Sequence, residues 1–355
     1  MTTAISRSSE YHLHRPNPRL AEAGQLSPRS EVHQRANIFF QREVLATYND
    51  RSASQRPPAT VVFGPNQFDD FPLATMLEQG AVYGLDLNLE AMNNAKRSQP
   101  RELRRRLATL QLDASLYANR QIDLTARTIS GHYSLSEKLF EKLISGLETL
   151  EPSGELPFNN NSFDLAVSIS TTSQFVSVAY NRAFDLQVEK FGRDFVYDFY
   201  TAETENGGQC LSRGRLFDRV VNGLARKIAL THLREMARVV RPGGMIYWSD
   251  HSFATEAVSS SGFFPLWPDD LRPHTRLTPN FQLKTDRPML AVDVGTKAEG
   301  VAVVGPDSLT EMTNEVPGVM KIADYSFWNV NSQGVSMFGV PGMYFLDSAV
   351  VLTVR

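Results

Sequence analysis

The sequence predicts an α/β protein with a mostly parallel sheet and helices on both of its faces. Short apolar runs alternate with helical stretches, and the first three runs are Ala59–Phe63, Ala81–Leu87 and Leu107–Leu112. The first run is β-branched and stops at Gly64, which is typical of a strand buried on both faces. Strands that alternate with helices at this spacing form βαβ units, which place the strands parallel in one sheet.

Later segments continue the alternation of helices and strands. Helices are predicted over Val32–Tyr48, Phe71–Gln79, Leu89–Arg97, Leu135–Leu150, Phe175–Leu186 and Leu216–Val240. Strands are predicted over Leu165–Ile169, Met245–Trp248, Val319–Val330 and Tyr344–Arg355. The last two strands would form a hairpin at the sheet edge. The segment Tyr197–Arg215, which contains Gly207-Gly208, is predicted to be a loop.

The chain is predicted to divide into two parts. Residues 1–58 form a polar N-terminal arm and a helical cap, and residues 59–355 form one domain. Inserts are expected near residues 118–150, 187–215 and 252–318. The last insert is long for a loop within a compact domain, so it either has a function or contains further elements.

Composition limits the classes of protein. Of 355 residues, 42% are hydrophobic and 21% are charged, which is typical of a globular protein. A net charge of -3 disfavours a nucleic-acid partner, and the basic run Arg101–Arg106 is most simply a solvated helix face. We recognise no bilayer-spanning run and no secretory signal. The single cysteine, Cys210, suits a cytoplasmic protein and leaves no multi-cysteine zinc site.

Three predicted strand ends carry features suited to a ligand. Gly64 would let backbone approach a ligand, although an ordinary turn would look the same. Asp86 could accept hydrogen bonds from both ribose hydroxyls, or instead cap the next helix. We favour the ribose, because the glycine turn and the aspartate occur together and in order. Asp113 could meet an adenine amine, and a surface position is about as well supported.

Two further runs complete a recognisable order of motifs. They are Leu156-Pro157-Phe158 with Ser162-Phe163-Asp164, and Ala237-Arg238-Val239-Val240-Arg241-Pro242-Gly243-Gly244. Together with the three strand ends, they resemble the class I S-adenosylmethionine-dependent methyltransferase family between Thr60 and Asp250. The resemblance implies a Rossmann-like, mostly parallel seven-stranded sheet with helices on both faces, an antiparallel C-terminal hairpin and helical or loop inserts.

The resemblance also implies S-adenosylmethionine as the cofactor. The residues assigned to it are Gly64 and Asn66 in the first turn, Asp86 at the ribose, Leu87, Asp113 and Ala114 at the adenine, and Ser168 and Ser170 near the sulfonium. The family's first motif usually carries several glycines, whereas this chain has one. Side chains at Gln67 and Phe68 could therefore crowd the methionine carboxylate.

One histidine is a candidate base for the acceptor. In methyl transfer the protein mostly aligns the reactants and sometimes supplies a base. His251 follows the predicted fifth strand at the carboxyl edge of the sheet, with Asp250 beside it in sequence. A loop histidine bonded to backbone is the commoner reading. The inserts carry aromatic residues that could cover a flat acceptor or simply pack onto the core: Tyr117, Tyr133, Tyr200, Phe263, Phe264 and Trp267.

The sequence therefore predicts an enzyme that methylates a small molecule, with specialised metabolism as one setting. The alternative is a protein of the same fold that does not methylate, and that serves another reaction or acts as a binding subunit. A nicotinamide-dependent oxidoreductase is disfavoured, because the Gly-x-Gly-x-x-Gly phosphate cradle is absent. A small-molecule acceptor and a possible homodimer are expected, without nucleic acid, membrane or metal.

Overall fold

The computed structural model describes thirteen stretches of the chain. They are residues 40–51, 58–65, 68, 71–113, 136–152, 154–169, 171, 187–206, 209–256, 289–291, 299–301, 309–335 and 341–355. The predicted helix at Phe175–Leu186 lies outside them. Among the described residues, no helix is both long enough and apolar enough to cross a membrane.

The described chain contains eleven strands. They are β1 (Ala59–Phe63), β2 (Ala81–Asp86), β3 (Leu107–Gln111), β4 (Phe163–Ile169), β5 (Glu203–Asn206), β6 (Gln209–Ser212), β7 (Val240–Glu256), β8 (Met289–Ala291), β9 (Glu299–Val301), β10 (Val319–Val335) and β11 (Pro341–Val354). The strands predicted from the sequence are all present. Four of them, β4, β7, β10 and β11, are longer than predicted.

Within the described stretches, eight α-helices have defined bounds, and a π-helical turn at Phe40–Leu45 precedes them. They are α1 (Ala46–Arg51), α2 (Leu73–Gln79), α3 (Leu89–Ser98), α4 (Arg101–Arg104), α5 (Glu137–Glu148), α6 (Arg193–Thr201), α7 (Arg213–Val239) and α8 (Leu309–Asn314). The prediction of a loop over Tyr197–Arg215 is wrong. That segment contains the end of α6 and the antiparallel pair β5–β6, and Gly207-Gly208 lies outside the described residues.

Nine of the described strands form one sheet, and seven of them follow the order β10-β11-β7-β4-β1-β2-β3. The other two lie off this path, where β9 pairs with β7 and β8 pairs with β9. Strands β3, β2, β1, β4 and β7 are parallel, and β11 runs antiparallel to both β7 and β10. The predicted parallel sheet with an antiparallel C-terminal hairpin is confirmed. The chain moves outward from β1 through β2 to β3, then returns to the other side of β1 for β4 and β7, so the strand order reverses between β1 and β4.

Apolar side chains cover both faces of the sheet. On one face, α5 and α7 pack against strand residues such as Val61 and Ile246. On the other face, α2, α3 and the N-terminal helical segment enclose residues such as Val62 and Val167. The Phe40 ring lies 5.2 Å from the ring of Tyr247, so the N-terminal helical segment packs directly on the sheet. The division into residues 1–58 and 59–355 stays a prediction.

The amino-terminal edge of the sheet is held by Arg238, at the end of α7. Its guanidinium forms a two-pronged ion pair with Glu235, at 2.9 and 2.7 Å, and also donates to the carbonyl oxygens of Leu156 and Phe158. The Glu235 carboxylate accepts from the backbone N–H of Leu156 at 2.8 Å. The two runs that carry the family resemblance therefore form one contact between the α7 terminus and the lead into β4.

A second ion pair lies at the same edge. The Arg241 guanidinium is 2.5 Å from Asp164, whose carboxylate is 1% exposed. The other carboxylate oxygen accepts from the backbone N–H of Ala59 at 2.7 Å. Asp164 thus joins the starts of β1, β4 and β7. A Cβ atom at Gly244 would lie 2.8 Å from the Asp164 carbonyl oxygen, which explains why the second residue after Pro242 is glycine.

Candidate functional site

The candidate site lies at the carboxyl ends of β1, β2 and β4. β1 pairs with β2 on one side and with β4 on the other, and the strand order reverses at the β1–β4 boundary. In open α/β sheets, a ligand binds in the crevice beyond the carboxyl ends of the strands at such a boundary. Gly64 follows β1 at this point, and Asp86 ends the adjacent strand β2.

Gly64 occupies a turn that only glycine fits well. Its φ angle is +64°, and its N–H donates to the Leu85 carbonyl oxygen at 2.9 Å. A Cβ atom here would lie 2.6 Å from the Thr171 hydroxyl oxygen. That hydroxyl lies 3.1 Å from the carbonyl oxygens of both Phe63 and Ile169. Thr171 is a buried site residue that sequence reasoning missed, because no pattern marks one threonine beyond a strand end.

Asp86 holds the turn between β2 and α3. One carboxylate oxygen accepts from the Asn88 N–H at 2.8 Å. Asn88 itself caps α3, since its side chain accepts from the Ala91 N–H at 3.1 Å. The alternative in which Asp86 caps the helix is therefore wrong. A carboxylate has about four acceptor positions, so the local hydrogen bond is compatible with binding a diol.

Leu87 presents an apolar side chain beside this carboxylate. It is 47% exposed, and only four large hydrophobic side chains in the described part of the chain are classed as exposed. Its carbonyl oxygen accepts from the Gln111 side chain at 3.0 Å, which ties it to the end of β3. Asp113 lies two residues beyond β3 and is half-buried. Ala114 and Asn66 lie outside the described residues.

Phe68 does not crowd the turn. Its side chain is 4% exposed and packs into the core on the α3 side of the sheet. A Cβ atom at Gly84 would lie 2.5 Å from the tip of the Phe68 ring, so glycine in β2 makes the space that this ring fills. The expected conflict is therefore wrong for Phe68. Gln67 lies outside the described residues.

Ser168 lies beneath the site and is fully buried. Its hydroxyl is 3.0 Å from His232 Nε2 of α7, and the Phe63 ring packs edge-on against that imidazole. Burial lowers the pKa of His232 to about 4, against a smaller raising effect of Glu235. Ser168 thus contacts a neutral histidine in the core. Its burial gives no support to a position near the sulfonium, and Ser170 lies outside the described residues.

Comparison with known proteins finds structural neighbours and no sequence relatives. No protein-family model and no curated protein matches the chain. A methyltransferase from Methanosarcina mazei, described as S-adenosylmethionine-dependent, is similar over 88% of this chain and 97% of its own, at 11% identity and a TM-score of 0.38. The YcgJ protein of Bacillus subtilis is similar over 89% of this chain and 98% of its own, at 10% identity and a TM-score of 0.38. The [4+2]-cyclase SpnF is similar over 88% of this chain and 80% of its own, at 9% identity and a TM-score of 0.36.

The strand order of the sheet decides the fold class. Along the seven-stranded path only β11 runs against its neighbours, which is the arrangement that the sequence resemblance implied. The protein has the class I methyltransferase fold. Within this fold, Gly64, Asp86 and Leu87 lie at the edge where the resemblance assigned the cofactor.

His251 lies inside a strand of this methyltransferase fold. The expectation that it follows the fifth strand is wrong, because β7 continues to Glu256. The pairing of β7 with β4 ends at Ser249, so His251 lies two residues beyond the end of β4. β7 is longer than predicted because β11 and β9 pair with its outer half.

Of the six aromatic residues predicted to cover the acceptor, the structure describes Tyr200, which belongs to the core. Tyr200 is 7% exposed, and its ring packs edge-on against Phe140 and Phe217. Its hydroxyl lies 3.0 Å from the Gln187 side-chain oxygen. For Tyr200 the packing alternative is therefore correct, and the other five aromatic residues lie outside the described side chains. No cluster of three or more potential metal ligands occurs among the described residues.

Proposed function

We propose that the protein is an S-adenosylmethionine-dependent methyltransferase that acts on a small molecule, with specialised metabolism as its setting. One observation carries the proposal: the carboxylate of Asp86 and the exposed side chain of Leu87 lie together at the carboxyl edge, one strand from the glycine turn at Gly64. An acceptor-only carboxylate suits the ribose diol, and an exposed leucine suits the face of a purine.

The residues at this edge fit the nucleoside half of the cofactor. When bound, S-adenosylmethionine supplies a methyl group on a positively charged sulfur. The protein's part is to hold the two reactants in line, and Asp86 and Leu87 would fix the nucleoside end. Gly64 has no side chain, so the backbone of the β1 turn could approach the methionine end. A larger residue would not fit this turn, because its Cβ atom would meet Thr171.

A small acceptor is favoured by what the basic run does. Arg106 donates to the carbonyl oxygens of Leu77 and Glu78, each at 2.9 Å, and so caps the end of α2. Arg104 donates to the Gln99 carbonyl oxygen at 2.7 Å. These guanidiniums bind the protein's own backbone rather than forming a patch for polyanions. The cytoplasmic location and the homodimer stay predictions.

Calorimetric titration with S-adenosylmethionine and with S-adenosylhomocysteine tests the cofactor assignment. We expect wild type to bind both, and Asp86→Ala to bind each at least tenfold more weakly, because a hydrogen bond to a charged group contributes about 1.5–3 kcal/mol. The matched control is Glu102→Ala, since Glu102 is an exposed carboxylate in α4, before β3. Absence of binding by folded wild type would overturn the cofactor assignment. Equal binding by both variants would overturn the role of Asp86.

A second candidate function is a methyltransferase-fold protein that binds the cofactor without transferring its methyl group. The single glycine of the first turn favours it, because the Thr171 hydroxyl fills the space beside Gly64. The two functions differ in product. A screen of small-molecule acceptors that yields S-adenosylhomocysteine supports transfer, whereas binding without turnover across the screen supports the second candidate.

A further inference from the structure

Strand β3 forms one edge of the sheet. Within the described part of the chain, β2 pairs with it on one side, and the other side has no strand partner. Proteins usually protect such an edge with charged residues, proline or a bulge, because its free backbone groups can pair with another chain. The strand Leu107–Gln111 contains no charged residue and no proline, and its pairing with β2 is regular. Nothing within β3 itself therefore opposes pairing with a further strand.

Alternate residues of β3 direct their backbone groups away from β2. At the start of the strand, the Arg106 carbonyl oxygen accepts from the Val82 N–H at 2.8 Å. At its end, the Leu112 N–H donates to the Asp86 carbonyl oxygen at 3.1 Å. Even-numbered residues thus face β2 with their N–H and C=O groups, because successive residues of a strand alternate in direction. The residues whose groups are directed outward are Leu107, Thr109 and Gln111.

We propose that β3 pairs with β3 of a second copy of the chain, antiparallel and about a two-fold axis at Thr109. In a two-fold interface, residue i of one copy meets residue j of the other, and j meets i. With the axis at Thr109, this residue meets its own counterpart and Leu107 meets Gln111. Outward-directed residues then pair with one another throughout, which is the condition for an antiparallel ladder. The strand also overlaps its copy over its full length only in this register.

The charges that flank β3 favour the same register. Arg105 is exposed two residues before the strand, and Asp113 is half-buried two residues after it. The axis at Thr109 brings each Arg105 close to Asp113 of the other copy, so symmetry gives two oppositely charged contacts. An axis at Ala108 would instead bring Arg105 to Gln111. A carboxylate can accept several hydrogen bonds, so Asp113 has room for a guanidinium from the second copy.

The exposed apolar side chains of β3 are also complementary to themselves. Ala108 and Leu110 are exposed, and Leu110, at 41%, is among the most exposed large hydrophobic residues in the described part of the chain. Directly opposite residues on antiparallel strands pack against each other. In the proposed register, Leu110 of each copy covers Ala108 of the other. The opposite face of β3 is already packed, since Leu107 is buried and the Thr109 hydroxyl donates to the Asn93 side chain at 3.0 Å.

Sedimentation velocity of the ligand-free full chain at several concentrations tests the pairing. A short strand makes a small interface, so we expect a dissociation constant in the micromolar range. Arg105→Asp should weaken association at least tenfold, because symmetry replaces two attractive contacts by two repulsive ones. Adding Asp113→Arg to the same chain should restore most of the association. Arg101→Asp is the matched control, since Arg101 is exposed in α4 and lies outside the paired segment.

Disulfide trapping tests the register in a chain that carries Cys210→Ser. Thr109→Cys should form an intermolecular disulfide on mild oxidation, because opposite residues that exchange hydrogen bonds have Cα atoms about 5.5 Å apart. Ala108→Cys should be trapped much less, because its counterpart lies diagonally across the two strands, about 7–8 Å away.

Wild type that stays monomeric at every concentration would overturn the proposal. A dimer that both Arg105→Asp and Leu110→Lys leave unchanged would overturn it as well, since its interface would lie elsewhere. Preferential trapping of Ala108→Cys over Thr109→Cys would contradict the axis at Thr109. Recovery in the Arg105→Asp, Asp113→Arg chain separates a lost charge contact from a misfolded variant. Because S-adenosylmethionine is absent from these measurements, their outcome is independent of the cofactor assignment.

Discussion

The two edges of the sheet are built in different ways. At the amino-terminal edge, Asp164 and Glu235 are almost completely buried, and each carboxylate binds an arginine and a backbone N–H. At the carboxyl edge, the Leu87 side chain is exposed and Asp86 makes a short-range contact with its own turn. One edge resembles a core with its polar groups satisfied, and the other resembles a surface prepared for a ligand.

The difference shows what the family resemblance measures. Its two most specific runs end at Asp164 and surround Arg238, and both lie at the amino-terminal edge, away from the candidate site. They join α7 to the starts of β1, β4 and β7. Residues that hold a shared fold can be kept whatever reaction the fold serves, so these runs support the architecture and carry little information on chemistry.

The largest expected loss of stability follows a substitution at the amino-terminal edge of the sheet. Asp164→Ala removes the partner of Arg241 and the acceptor for the Ala59 N–H, and we expect a loss of about 4 kcal/mol in the free energy of unfolding. Urea unfolding measures it. The control is Glu151→Ala, which breaks the exposed Lys227–Glu151 pair and should cost under about 1 kcal/mol. Equal losses in the two variants would contradict the difference between a buried and an exposed pair.

The sequence predicted the sheet better than the site, for physical reasons. Buried parallel strands such as β1 and β4 are short, mostly apolar runs, and their parallel direction follows from the βαβ spacing. The outer half of β7 has no such signal, because antiparallel partners from distant parts of the chain extend it. The strand was therefore predicted to end at Trp248, whereas it continues through His251 to Glu256.

Side-chain roles at the site depended on contacts that no sequence pattern records. From the sequence, the order of motifs was the only reason to prefer a ribose role for Asp86 over a helix cap. The structure shows that Asn88 is the cap. Phe68 looked obstructive because the space that Gly84 leaves for it is in another strand. Ser168 looked accessible at its strand end, but α7 places His232 over it.

An intermediate effect is expected beneath the carboxyl edge, where His232 is buried and neutral. Its folded-state pKa of about 4 lies below the ordinary value of 6.5, so the unfolded chain binds the proton more tightly between these values. Stability should therefore fall as pH decreases from 6.5 towards 4, by at most roughly 3 kcal/mol from this group.

Urea unfolding of wild type and His232→Gln at several pH values measures this effect. The difference in unfolding free energy between the two proteins should shrink as pH falls through the window and stay constant above pH 6.5. Taking the difference removes the contribution of carboxylates that titrate nearby in pH. A constant difference from pH 7 to pH 4 would contradict a neutral, buried His232.

The smallest losses of stability are expected for alanine substitutions at two glycines, and only one of the two should weaken ligand binding. Gly64→Ala and Gly243→Ala each place a side chain at a positive φ angle, +64° and +79°, one at each edge of the sheet. Each should lose about 1–2 kcal/mol of unfolding free energy. They differ in their surroundings, because a Cβ atom at Gly243 meets nothing within 4 Å, whereas one at Gly64 meets Thr171.

Calorimetry with S-adenosylhomocysteine then separates the edges. Gly64→Ala should lose at least tenfold in affinity, since the new methyl group displaces Thr171 at the turn that we propose approaches the methionine end. Gly243→Ala should bind as wild type does. The double variant Gly64→Ala with Thr171→Ala should regain part of the stability lost, because the contact is removed and only the backbone strain remains. Equal losses of affinity in the two glycine variants would contradict a ligand site at the carboxyl edge. Backbone strain at either edge of the sheet would then explain the loss.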